Sequence, residues 1–136
     1  MARQEHRENS EYRLLITPQF NERGQKYTTL FLLETVKSFA SFRYDLSVEE
    51  TMDKKTIKYR VLGLKTPQLS LPATGHAQFM REYDNLKGTY EVVIEGLDGK
   101  INSFSVRIAP QQVRLVSAPS QSFISICTDR GAWSDK

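Results

Sequence analysis

The chain has 136 residues, 39% of them hydrophobic and 26% charged, with a formal net charge of +3. That length suits one domain able to bury roughly two-thirds of its unfolded surface, and the composition excludes global disorder. The charge excludes a strong electrostatic footprint for nucleic acid or anionic lipid: residues 1–68 carry 12 Lys/Arg against 9 Asp/Glu, and residues 69–136 carry 7 of each.

The first ten residues, MARQEHRENS, alternate charge and lack an apolar run of signal-peptide length, so 1–10 reads as a flexible leader and the protein as cytoplasmic. The richest apolar stretch, YTTLFLLETV, is too short to span a bilayer and includes Glu34, which argues against a membrane partner. Cys127 is the one cysteine, so no internal disulfide supports the fold, and its plain reading is a small apolar residue.

Residues 11–118 read as a single β domain. A first strand runs from Tyr12 to Thr17 and is stopped by Pro18, followed by the polar turn NERGQ. Tyr27 to Val36 is apolar on nearly consecutive positions and predicts a central strand. Leu32, Val36, Phe39 and Ala40 also fall at helical spacing, so residues 32–40 stay open between strand and helix. In RYDLSVEETMDKKTIKYRV two alternating runs predict a hairpin with its loop about Met52–Asp53. That register pairs Val48 with Ile57, Leu46 with Tyr59 and Tyr44 with Val61, and sets Asp45 opposite Arg60. Leu69 and Leu71 suggest a short edge strand beside Pro72, and Ala77, Phe79, Arg81 and Tyr83 alternate as another strand.

GTYEVVIEGLDGKINSFSVRIAP predicts a second hairpin. A two-residue Asp98–Gly99 loop would oppose apolar to polar residues. A three-residue Leu97–Asp98–Gly99 loop, with Gly99 left-handed in a bulge, instead faces Tyr90 with Val106 and Val92 with Phe104. Val113 and Leu115 mark a further strand up to Pro119. Residues 119–136 read as a tail with one short strand at 123–127. Seven to nine strands without a helix predict an all-β fold, an antiparallel two-sheet sandwich.

Leu86, Gly88, Tyr90, Val92 and Ile94 resemble the tyrosine-corner region of immunoglobulin-like and fibronectin-type-III-like domains. The resemblance implies an immunoglobulin-like sandwich in which Gly88 lets the loop turn and the Tyr90 hydroxyl bonds back to loop backbone, so that Gly88, Tyr90 and Gly99 are structural. Paired cysteines are missing and the sole tryptophan, Trp133, lies in the tail, which excludes an antibody-type domain.

Chemistry-bearing constellations are sparse. His6 stands in the polar leader, and His76, in PATGHAQF, is the one candidate base for a hydrolase, yet no nucleophile-elbow pattern accompanies it. One Cys and two separated His do not make a zinc set, and Glu49, Glu50 and Asp53 lack the order of a calcium loop. No glycine-rich phosphate loop occurs, so no metal or cofactor is expected. Lys54, Lys55, Lys58, Arg60 and Lys65 line one hairpin arm and form a candidate single-stranded nucleic-acid strip over 54–65, although Tyr59 faces inward and Arg60 meets Asp45 in the predicted register. The leading expectation is a non-catalytic binding or structural module contacting a protein partner or a second copy. Its contacts would run through loops or a sheet edge, with Leu69, Leu71 and the 110–127 segment as candidate surfaces.

Overall fold

The structure is a computed structural model that describes residues 10–39, 44–65 and 75–133. Nine strands follow one another: β1 (Tyr12–Asn21), β2 (Lys26–Phe39), β3 (Asp45–Asp53), β4 (Thr56–Lys65), β5 (Gly75–Tyr83), β6 (Gly88–Glu95), β7 (Ile101–Ala109), β8 (Gln112–Ser117) and β9 (Ile124–Cys127). One turn of 3₁₀ helix, Arg130–Ala132, closes the described chain. No helix among the described residues is long and apolar enough to cross a membrane.

All nine strands join one mixed sheet in the order β8-β7-β6-β4-β3-β5-β2-β1-β9. The sheet curls until β8 lies along β1 without pairing to it, giving a nearly closed, barrel-like body. The all-β expectation holds at this level, and the antiparallel two-sheet sandwich is corrected. β4 runs parallel to β6, β1 parallel to β9, and β3 meets β5 in parallel at Asp45↔Gln78. The cause is a crossing: the 84–87 connection leads from β5 past the tip of the β3–β4 hairpin to β6, so two strands distant in sequence become neighbours. Alternation assigns each residue a face but carries no information about which strand pairs with which.

Locally, side-chain chemistry accounts for the elements. Tyr12, Leu14 and Ile16 point into the core, with Phe31 and Leu33 beside them on β2. Pro18 does not stop β1. It sits opposite Thr29, beyond Leu15 where β9 ends, so its missing N–H falls where β1 has an open edge. The strand reading of β2 holds through Phe39, and position 40 lies outside the described residues. The β2–β5 ladder is irregular between Glu34 and Ser38. Thr35 satisfies the break, its hydroxyl donating to the Lys37 carbonyl at 2.7 Å and accepting from Ala77 N–H at 3.0 Å.

The β3–β4 hairpin keeps the predicted face but not the predicted register. Lys54, at φ 55°, and Lys55 make the turn, so Met52 pairs with Ile57, Glu50 with Tyr59 and Val48 with Val61. Arg60 faces Glu49 rather than Asp45, which sits opposite Lys65. Ile57, Tyr59 and Val61 remain inward, because a shift of four residues, from Val48 to Met52 opposite Ile57, preserves parity.

The β6–β7 register is the one expected, with Tyr90↔Val106 and Val92↔Phe104. Gly96 N–H donates to the Lys100 carbonyl at 2.9 Å and Gly99 N–H to the Gly96 carbonyl at 3.1 Å, with Gly99 at φ 87°. A Cβ on Gly99 would meet nothing within 4 Å, so only backbone strain opposes a side chain there. Gly99→Ala is therefore expected to cost about 1 kcal/mol, read as a lower urea midpoint with an unchanged slope. An unchanged midpoint would refute the left-handed requirement.

The C-terminal segment is built into the body. Asn102 accepts from Phe123 N–H at 2.8 Å and from Ser122 Oγ at 3.0 Å, Glu11 N–H donates to the Phe123 carbonyl at 2.9 Å, and the Phe123 ring meets Tyr12 edge-on at 6.3 Å. β9 then adds to β1, and beyond it Arg130 donates to Gln19 while the Arg13 guanidinium lies 4.3 Å from the Trp133 ring centroid.

Candidate interaction surface

The basic arm of the β3–β4 hairpin is largely neutralised by its neighbours. Lys58 Nζ lies 3.3 Å from Glu95 on β6, and Arg60 pairs with Glu49 on β3 at 2.9 Å. Lys55 donates to the Lys87 carbonyl at 2.5 Å and sits 4.5 Å from the Tyr90 ring centroid. Lys54 occupies the exposed turn, and Lys65 is exposed at the far end of β4. These five cations thus do not form one continuous free strip. Leu69 and Leu71 lie outside the described residues, as does His6.

Tyr90 is buried, and its hydroxyl accepts from Lys87 N–H at a long 3.4 Å. Gly88, at φ 102°, brings the backbone to within 3.2 Å of Lys55 Nζ measured from where a Cβ would stand. The loop is therefore tied at two points, with Lys55 holding the carbonyl that precedes Gly88 and capping the face of the Tyr90 ring.

His76 is half-buried on β5, and its Nδ1–H donates to the Thr35 carbonyl at 2.7 Å. That bond sets its tautomer and ties it to the β2 irregularity, where a backbone carbonyl stands in the place a catalytic carboxylate would take. Among the described residues no group of three or more His, Cys, Asp or Glu is placed to hold a metal. Cys127 is half-buried on β9, with its thiol directed to the Asp129 carbonyl.

Two arrangements went unnoticed at the level of sequence. The first lies on the outer face. Arg60, Glu95 and Ile101 form one cross-strand row over β4, β6 and β7, and Leu62 and Leu97 follow two residues beyond the first two members. Leu62 is 50% exposed, Leu97 64% and Ile101 55%. Their signal was present: Ile101 precedes the outward Ser103, Ser105 and Arg107, and Leu62 falls out of step with inward Ile57, Tyr59 and Val61. Lys58–Glu95, Arg60–Glu49 and Lys100–Asp98 are ion pairs on these same strands and turns, so the apolar group has a border of mixed sign. β8 also presents Leu115 and Val116, both exposed, at the edge of the sheet.

The second arrangement reaches into the core. Tyr83 Oη donates to Glu50 Oε2 at 2.5 Å, so Tyr59, 2.9 Å away, donates to Tyr83, while Arg81 Nε reaches Glu50 Oε1 at 2.7 Å. Burial pushes the phenols of both Tyr59 and Tyr83 above the ordinary tyrosine range. No buried side-chain nitrogen or oxygen among the described residues lacks a hydrogen-bond partner.

Comparison with family models, with curated proteins and with solved structures returns no match.

Proposed function

We propose that the protein is a non-catalytic binding or structural interaction module that contacts a protein partner, a second copy included, through the outer face around the β6–β7 turn. The observation that carries this reading is the exposure of Ile101 in one cross-strand row and of Leu62 and Leu97 two residues beyond it. Large apolar side chains gathered on an outward face lose water contact only when another surface covers them. The border of ion pairs supplies the polar rim that such a contact needs. Pairing of Lys58 and Arg60 with carboxylates favours this reading over nucleic-acid binding through 54–65, and the His76 bond to a backbone carbonyl favours it over hydrolysis.

Sedimentation velocity across a concentration series, run beside a pull-down, tests the reading on wild type and Ile101→Lys. Wild type is expected to self-associate or to retain a partner, and Ile101→Lys to weaken that association by about tenfold or more with little change in melting temperature, since the residue is exposed. Strictly monomeric wild type with an identical set of retained proteins in both samples would refute it.

A further inference from the structure

We propose that the boundary between β3 and β5 is a gate onto the aromatic core, held shut by the Glu50 carboxylate. Among the described residues the sheet is joined across this boundary by a single residue pair, Asp45↔Gln78. Beyond it β3 continues through residue 53 and β5 through residue 83, each laddered on its other side to β4 and to β2, with no main-chain pairing between them. Across the molecule, the halves β8-β7-β6-β4-β3 and β5-β2-β1-β9 meet again where β8 lies along β1 unpaired. Among the described residues, a hinge motion that parts the halves therefore breaks one ladder pair. Every other ladder moves intact with its own half.

Side chains close what the backbone leaves open. Glu50 projects from β3 and takes two donors from β5, Arg81 Nε and Tyr83 Oη. Tyr83 in turn receives Tyr59 from β4. The carboxylate and the guanidinium are water-accessible, with side-chain exposures of 21% and 50%, whereas Tyr59 directly behind them is fully buried. Phe31 stands edge-on to both tyrosines, at centroid distances of 6.0 Å and 5.1 Å, and Phe79 edge-on to Tyr59 at 5.1 Å. One ionised group thus sits between solvent and four aromatic rings. Without it, the side-chain bond left beside the Asp45↔Gln78 pair would be the Tyr83–Tyr59 contact. Two neutral hydroxyls hold less strongly than a carboxylate with charged and phenolic donors. Parting the strands would uncover these rings together with the unpaired edges of β3 and β5.

Hydrogen exchange of the full chain, followed by mass spectrometry, tests the gate with Glu50→Gln and, as a control, Glu49→Gln, which disturbs only the exposed pair with Arg60. In Glu50→Gln, peptides covering 46–53 and 79–83 are expected to exchange about tenfold faster, while peptides covering 12–16 and 101–108 stay within about twofold of wild type. Glu49→Gln is expected to leave all four unchanged. Equal exchange in Glu50→Gln and wild type would overturn the gate, and so would a uniform rise across the sheet, which signals general loss of stability. Should Glu50→Gln fail to fold, Arg81→Gln retains the Tyr83 bond and supplies the same readout. A rise confined to β3 and β5 supports the gate, and its absence overturns it.

Discussion

Arg13→Ala is expected to destabilise the fold by roughly 3 kcal/mol, at the low end of what removing one partner of a buried ion pair costs. Glu34 is 2% exposed on the outward side of β2, where its carboxylate receives Arg13 through Nε at 2.5 Å and Gln78 through Nε2 at 2.7 Å. Removing the guanidinium strands a charge with one neutral donor. The low end applies because Gln78 remains and because the Arg13 side chain is itself 24% exposed. The same change uncovers Trp133, the sole tryptophan, so its fluorescence should shift toward that of a solvated indole before global unfolding. Guanidinium unfolding curves check the magnitude. The double replacement Arg13→Met with Glu34→Leu should recover most of the loss, because a packed apolar pair carries no desolvation penalty. A loss below about 1 kcal/mol in Arg13→Ala would mean that the pair behaves as a surface pair.

Asn102→Ala is expected to cost about 2–3 kcal/mol and to release the C-terminal segment. Its amide holds three successive residues of that segment: Oδ1 accepts from Ser122 Oγ and Phe123 N–H, and Nδ2 donates to the Gln121 carbonyl at 3.3 Å. Alanine leaves the Phe123 N–H buried without its acceptor, and the cost is that group's desolvation rather than the modest net worth of a hydrogen bond. Since β9 pairs with β1 over only Tyr12–Leu15, loss of its anchor should appear as faster hydrogen exchange at 124–127 in excess of the global change. Unaltered protection of β9 would show that the strand docks without Asn102.

The alternation of residues 88–109 made the β6–β7 hairpin legible, loop length included, because matching apolar partners and placing a glycine at the bulge are local demands that one short stretch must meet together. The β3–β4 hairpin was legible only to its parity. Its turn uses Lys54 in a left-handed conformation, for which no glycine or asparagine marked the place. The candidate surface could be sensed at Ile101 and Leu62, where apolar residues break an outward polar rhythm, but their nearness depends on β4 lying beside β6.

What the sequence determined by itself is the strand character of the chain and the inward faces of β3, β4, β6 and β7, since both follow from a period of two and from turn residues a few positions apart. Only the tertiary structure decided the mixed single sheet, the burial of Glu34 against Arg13 and Gln78, and the approach of Glu50 to Tyr83. Each of these joins groups more than twenty residues apart, and their pairing depends on which strands become neighbours, a choice that residue alternation leaves degenerate.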